Sequence, residues 1–577
     1  MKFYRFLLLG LALLTTAAAA DNWTLPRQNT ELTNATTEEA VLPLSLAWQY
    51  IATAAPGNRS QPVVLGDTVF FAMGDRIMAL DTLYGAPRWF YPSDGPLAAK
   101  VTTSLAAYDG HVYFGANDGN IYCISASTGD NLWAYNTLGQ VRSSPVIAEV
   151  GGEAILFAGS DNNALHSVRA DTGEPIWPGG FRTGDDVASE PAIDASGAWI
   201  YFISRDTRLY AANAQNGKFR WAFRMSFPTL NVVPVLGRDV VYLAGGNQMS
   251  SLGARSGVRK WTLTFPAEFS APPALADQIL FTPLRNSRVY AITARGKVKW
   301  EKPADTVTPA RSGPLVAGKV LFVGGERGVV SAFDIETGKL LWRYVVQPQQ
   351  TTAAKPASTS VLVSPVYANG MLYVLTEDGV LSAFRADAAD NAAPQINTLS
   401  PAPGGVISGG PPVNISAIIT DMGSGIDPDS VVLTLDGGAV EHTFSVPDGK
   451  VTYSTPVTET QVPLKNGRHQ IAVNARDWKG NALDYSWSFT VDNSLPKPRI
   501  KAQTTPGLVS GTSSRRTRST RDRNETDSRS NAQPGQSREQ QSRDVPRFED
   551  GPPAPPPPPP GGGPGGGGMM MPEPPSF

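Results

Sequence analysis

The chain predicts an all-β protein: an eight-bladed β-propeller, then an immunoglobulin-like β-sandwich, then a disordered tail. Three observations carry this reading. Trp48, Trp89, Trp133, Trp177, Trp221, Trp261, Trp300 and Trp342 recur in steps of 39 to 44 residues, and a fixed period of this size marks stacked structural repeats. Seven of the eight stand four residues after a glycine that closes a short polar turn: Gly85, Gly129, Gly173, Gly217, Gly257, Gly296 and Gly338. Between the tryptophans run short stretches of Val, Ile, Tyr and Phe split by Gly, Asp and Asn, the pattern of small antiparallel sheets.

Residues 1–20 read as a secretory signal. Lys2 and Arg5 open it, Phe6 to Leu14 form its apolar core, and Ala17 to Ala20 provide small residues for cleavage. That apolar stretch is too short to span a bilayer, and no other segment is apolar enough to try. The chain is expected to be exported, to the periplasm or the cell surface.

The propeller is predicted over residues 42–388. The repeat is clearest between Ala107 and Trp133. Val112-Tyr113-Phe114-Gly115 is one strand and Asn117-Asp118-Gly119 a tight turn. Ile121 to Ile124 is the next strand, Ser127-Thr128-Gly129 the next turn, and a strand ending at Trp133 follows. A strand opened by a proline, as at Ser144-Pro145 or Glu190-Pro191, precedes each unit. After Trp342 comes one more set, Val361 to Phe384, without a tryptophan of its own, whereas Trp48 has no set ahead of it. The strand carrying Trp48 is therefore expected to complete the last blade, which leaves no open edge between first and last. A large aromatic at one place in every blade reads as packing between blades that can bury their faces only against neighbours.

The phrase Asp171-Thr172-Gly173-Glu174-Pro175-Ile176-Trp177, repeated from Asp334 to Trp342, resembles the repeat of quinoprotein-type propellers. That superfamily holds the pyrroloquinoline quinone (PQQ) dehydrogenases and also non-enzymatic BamB-type scaffold proteins of the outer-membrane assembly machinery. The dehydrogenases would imply vicinal cysteines against the quinone, a calcium ion held by acidic and amide side chains, a catalytic aspartate, and long insertions that build the active site. This chain has one cysteine, Cys123, and repeat steps too even to hold such insertions. It also lacks a cysteine at the cleavage region for the lipid anchor common among BamB-type proteins.

From Ala393 to Asn493 the pattern changes to short alternating strands: Val413–Thr420, Val431–Leu435, Lys450–Ser454, His469–Ala475 and Tyr485–Val491. This spacing suggests an immunoglobulin-like sandwich, and Ala475-Arg476-Asp477-Trp478-Lys479-Gly480-Asn481 resembles bacterial surface immunoglobulin-like modules. Residues 495–577 carry an Arg/Ser-rich and then a Pro/Gly-rich composition that cannot bury enough apolar surface to order itself, and read as a disordered tether.

Candidate chemistry is sparse. The sequence assigns no catalytic, cofactor-binding or metal-ligating residue and no cofactor. Asp421, Asp427 and Asp429 are the calcium candidates, since calcium takes clusters of oxygen ligands; aspartates in Gly-rich loops also simply form turns, and that reading is preferred. Cys123 falls where other repeats place Ala79, Ala211, Ala291, Ala332 and Ala383, a small buried position. His111, His166, His442 and His469 lack metal-ligand spacing. A net charge of −2 over 577 residues gives no bias toward polyanions. The expected function is a non-enzymatic binding or scaffold role with a protein partner at the cell envelope and no nucleic acid. The alternative implied by the resemblance is a periplasmic PQQ-dependent alcohol or sugar dehydrogenase.

Overall fold

The computed structural model describes residues 22–52, 60–228, 231–347, 359–457 and 463–496. The expected signal segment and nearly all of the expected tail lie outside these residues. Apart from two 3-10 turns, every regular element described is a β-strand, and no described helix is long and apolar enough to cross a membrane.

Eight sheets follow one another along residues 35–385, each built from four strands in simple meander order. The first runs through 63–91 and the seventh through 315–345, with the short strand Ala35–Thr36 added to the seventh in parallel. In the eighth, Ser45–Ile51 pairs antiparallel with Val380–Arg385 and sets Trp48 opposite Ala383. The strand ahead of the first repeat thus lies in the sheet of the last. Its ring meets Tyr373 of that sheet at 6.1 Å, and one buried cluster joins Val64 and Phe71 of the first sheet to Tyr373 and Leu381 of the eighth.

The tryptophans join each sheet to the next. Each indole N–H donates to a carbonyl in the turn of the following sheet: Trp48 to Thr82, Trp89 to Ala126, Trp133 to Ala170, Trp177 to Gln215, Trp221 to Ala254, Trp261 to Ala294 and Trp300 to Ile335, over 2.8–3.2 Å. The ring lies flat against the glycine of that same turn. At Gly85, with φ +68°, an added Cβ would come within 2.4 Å of the Trp48 ring, so only glycine allows both the left-handed turn and the close approach.

Two sheets depart from the expected strand carrying tryptophan. Trp177 and Trp300 lie just ahead of short final strands, Phe181–Arg182 and Ala304–Asp305. Pro175 and Pro178 flank the first tryptophan, and Pro303 follows the second. Proline lacks the N–H a ladder needs, so pairing resumes only past it. In the second sheet the strand does not end at Trp133 but continues to Asn136.

Residues 22–38, for which the sequence predicts no element, run across the first strands of successive sheets. Trp23 bridges Val64, and then the N–H groups of Ala107, Ile193, Leu236, Leu275 and Val316 donate in turn to the carbonyls of Thr24, Thr30, Glu31, Thr33 and Asn34 at 2.7–3.1 Å. Those strands would otherwise present an unpaired edge.

The remaining strands form two sheets. Gln395–Ser400, Asn414–Thr420, Lys450–Ser454 and Thr443–Ser445 make one; Val406–Ile407, Ala482–Val491, Gly467–Asp477, Ile426–Leu435 and Gly438–Ala439 make the other. Ile415, Ala417, Leu433, Val451, Val473, Trp487 and Phe489 fill one shared core. A turn of this unit completes the tryptophan series. The eighth sheet has no Thr-Gly turn of its own, and Trp342 donates instead to Ser424 O at 2.9 Å. Gly425, with φ +86°, lies against Arg343 and the Tyr344 ring, Trp478 donates to Arg343 O at 2.9 Å, and Arg327 pairs with Asp448. Trp342 and Tyr344 are buried completely as a result.

Candidate functional site

The segments that enter the first strands converge on one cavity of about 980 Å³, lined by residues from all eight repeats. Its shape follows from the repeat. Taking the proline that opens a strand, such as Pro145, as reference, the residue three before it lies at the mouth and the residue one before it lies deeper. The N-terminal segment crosses two residues after it and forms the floor.

The deeper position is Gln61, Ser104, Ser144 and Glu190 in the first four sheets. Gln61 N–H donates to Ser104 Oγ (3.1 Å), Ser104 N–H to Ser144 Oγ (3.0 Å), and Ser144 O–H to Glu190 Oε1 (3.0 Å). The fifth to seventh sheets put Val233, Pro272 and Gly313 there, so the belt is polar on one side and apolar on the other. Arg27 rises from the floor into this belt. Its backbone N–H donates to Gln61 Oε1 at 2.9 Å, its Nε to Leu32 O at 3.0 Å, and its Nη2 to Pro273 O. Gly313 makes room: a Cβ there would sit 2.9 Å from Arg27 Nη1. Burial lowers the Arg27 pKa to about 10 against the pull of Glu190. Burial likewise raises that of Glu190, opposed by Arg27 and Ser144. Glu190 is half-buried and opens toward the cavity.

At the mouth, four ion pairs tie the segment entering a first strand to the turn between the second and third strands of the same sheet. They are Arg142–Asp161 (3.1 Å), Arg205–Asp186 (3.1 Å), Arg285–Glu268 (3.2 Å) and Arg311–Glu326 (3.5 Å). All four arginines line the cavity, whereas only Glu326 of their partners does. Asp161, Asp186 and Glu268 stand behind their guanidiniums and hold them in place.

The structure separates the three calcium candidates. Asp421 lies with Asp390 and Asp477, their carboxylate oxygens within 4.8 Å of one another, and without Asp427 or Asp429. Asp427 accepts from Asp429 N at 3.1 Å within its own turn. The three clustered acids are spent on backbone: Asp421 Oδ2 takes Gly423 N and Gly425 N (3.1 and 2.6 Å), Asp390 takes Ser424 N (2.7 Å), and Asp477 takes Asn481 N (2.9 Å). Asp421 and Asp390 hold the turn that meets Trp342, and Asp477 holds the turn that runs to Asn481. Burial, with Asp390 and Asp477 adding repulsion, raises the Asp421 pKa to about 6.

Cys123 is buried opposite Trp133 in the strand ladder, and burial pushes its thiol up to about 12, the inert rather than the reactive regime. His166 is buried between Tyr135 and Asn162, and burial lowers it to about 4. For His469, burial pulls downward, but the Lys465 carbonyl and the Asp436 carboxylate outweigh it and leave the pKa raised.

The cavity residues escaped the sequence reading, although one signal pointed to them. The residue before the strand-opening proline changes from polar (Gln61, Ser144, Glu190) to apolar (Val233, Pro272) along the repeats. The arginines would suit the carboxylates of a pyrroloquinoline quinone, but its planar ring system has no stacking partner here. Among the described residues the lining has no aromatic ring, no cysteine and no aspartate.

A repeat-family model described as outer membrane protein assembly factor BamB matches residues 40–221, 162–306, 248–386 and 285–459. Outer membrane protein assembly factor BamB of Yersinia pestis is 28% identical over 192 residues, covering 33% of this chain and 39% of that protein. The chain spans only 39–59% of the length of this and two other BamB relatives. Among solved structures, the quinohemoprotein alcohol dehydrogenase of Pseudomonas putida HK5 superposes with a TM-score of 0.50 at 15% identity, over 66% of this chain and 84% of that one. The quinohemoprotein alcohol dehydrogenase of Comamonas testosteroni gives 0.50 at 16%, over 66% and 82%. At such identity the likeness is one of fold: a β-propeller of PQQ-like repeats.

Proposed function

Because the chain belongs to the repeat family described as outer membrane protein assembly factor BamB, we propose that it is an exported, non-enzymatic scaffold that holds a protein partner at the bacterial cell envelope. Residues 42–388 form an eight-bladed ring in this reading, and 393–493 an immunoglobulin-like module fixed to it. Residues 1–20 direct export, and 495–577 act as a tether. The observation that carries the reading is the evenness of the repeat. Steps of 39 to 44 residues from Trp48 to Trp342 keep the connecting loops there short, which leaves sheet edges and the mouth rim to a partner.

The rival reading is a periplasmic PQQ-dependent alcohol or sugar dehydrogenase, favoured by the fold it shares with the quinohemoprotein enzymes. The cavity chemistry weighs against it. The test is affinity purification of the full-length chain from solubilised envelopes, with each recovered protein re-bound in purified form. Saturable re-binding of an envelope protein supports the scaffold. No re-binding, together with a quinone absorbance band and alcohol-dependent dye reduction on adding PQQ and calcium, overturns it.

A further inference from the structure

The central cavity is a site in its own right, apart from any surface a protein partner would use. Two properties set its chemistry. Five arginines (Arg27, Arg142, Arg205, Arg285 and Arg311) face it, and Asp161, Asp186 and Glu268 stand off the lining behind three of them, so guanidinium donors rather than a net charge present themselves to a ligand. The four at the mouth are already oriented by carboxylates, which lowers the cost of ordering them around a planar bidentate anion. The second property is hydroxyl density. Nine serine and threonine residues line the walls. Ser270 Oγ is buried there without a hydrogen-bond partner, a deficit a ligand hydroxyl would relieve.

The belt is also two-sided. Gln61, Ser104, Ser144 and Glu190 face Val233 and Pro272 across the cavity, which suits a ligand with hydroxyls on one face and C–H groups on the other. Residues 22–38 run across the floor, which leaves the mouth as the open side among the described residues. The volume, about 980 Å³, is at the upper end of the roughly 300–1,000 Å³ of small-molecule sites.

We infer that this cavity binds a polyhydroxylated carboxylate, a sugar acid or short chain of them, with the carboxylate at the arginines of the mouth and the sugar hydroxyls on the serine–glutamate belt. The inference goes beyond the scaffold reading and can fail without it: a chain that re-binds an envelope protein but no sugar acid loses only this.

The test is calorimetric titration of the full-length protein with trigalacturonate, and with maltotriose (same size, no charge) and citrate (charge, no sugar) as comparators. The expected result is saturable binding of trigalacturonate, about tenfold or more tighter than either comparator, since a charge-assisted bidentate pair contributes that much. Arg285→Gln removes a half-exposed guanidinium whose partner Glu268 is also exposed. It should fold normally and weaken binding about tenfold. Ala188→Trp fills the mouth without altering charge and should abolish binding; circular dichroism confirms the fold of both variants. Citrate binding as tightly as trigalacturonate, binding unchanged in both folded variants, or no saturable binding at all would each overturn the inference.

Discussion

Trp342→Phe tests whether the second unit completes the repeat structure or merely follows it. Trp342 is fully buried, stacks on Tyr344 at 6.0 Å, meets Phe384 at 5.6 Å, and donates to Ser424 O. Phenylalanine cannot donate, so the buried Ser424 carbonyl loses its partner, at about 1–3 kcal/mol. The smaller ring leaves a void of roughly 40 Å³, worth about 1 kcal/mol at 24 cal/mol per Å³. The sum is about 3 kcal/mol, and Trp300→Phe, equally buried but bonded to Ile335 within the repeats, should cost a similar amount. Urea denaturation measures both costs. The difference between them lies elsewhere: only Trp342→Phe should speed proteolytic cutting between residues 386 and 395, where the chain passes into the second unit. A Trp342→Phe cost under about 1 kcal/mol, or cutting at this junction no faster than in Trp300→Phe, would refute the reasoning.

Asp421 is buried with a pKa near 6, above its unfolded value. Its ionisation therefore opposes folding, and stability falls as pH rises from about 4 through 6, by up to about 3 kcal/mol. Both of its backbone hydrogen bonds go to Oδ2, so Asp421→Asn can keep them. It should raise stability at pH 7.5 by about 1–3 kcal/mol and flatten the pH 4–6 slope; denaturation across that range checks both, and a less stable variant would count against the assignment. Cys123 should resist a thiol reagent in the native protein and react stoichiometrically in urea, as read by absorbance; rapid native labelling would contradict its burial.

The repeats were legible because their signals are local. A glycine four residues before a tryptophan encodes a left-handed turn and the ring that covers the next one, and the surplus Trp48 told where the first strand goes. The cavity and its floor were not legible, for a physical reason. Residues 22–38 hold Arg27, Gln28, Leu32 and Asn34 at positive φ, and this irregular path has no period to read. Its hydrogen bonds go to strands up to about 280 residues away, as from Asn34 to Val316. The acidic cluster failed for the same reason. Sequence proximity suggested Asp427 and Asp429, but Ile426–Leu435 is a strand that carries them away, while Asp390 arrives from a distant loop and Asp477 from the end of the paired strand Gly467–Asp477.

The order of contacts along that floor has a consequence for the birth of the protein. Residues 23–51 meet the sheets in succession, from Val64 in the first to Arg385 in the eighth. The stretch made first can find its place only after the last repeat has been made. Contacts this distant slow the search for the native state, and unpaired strand edges stay exposed until it ends.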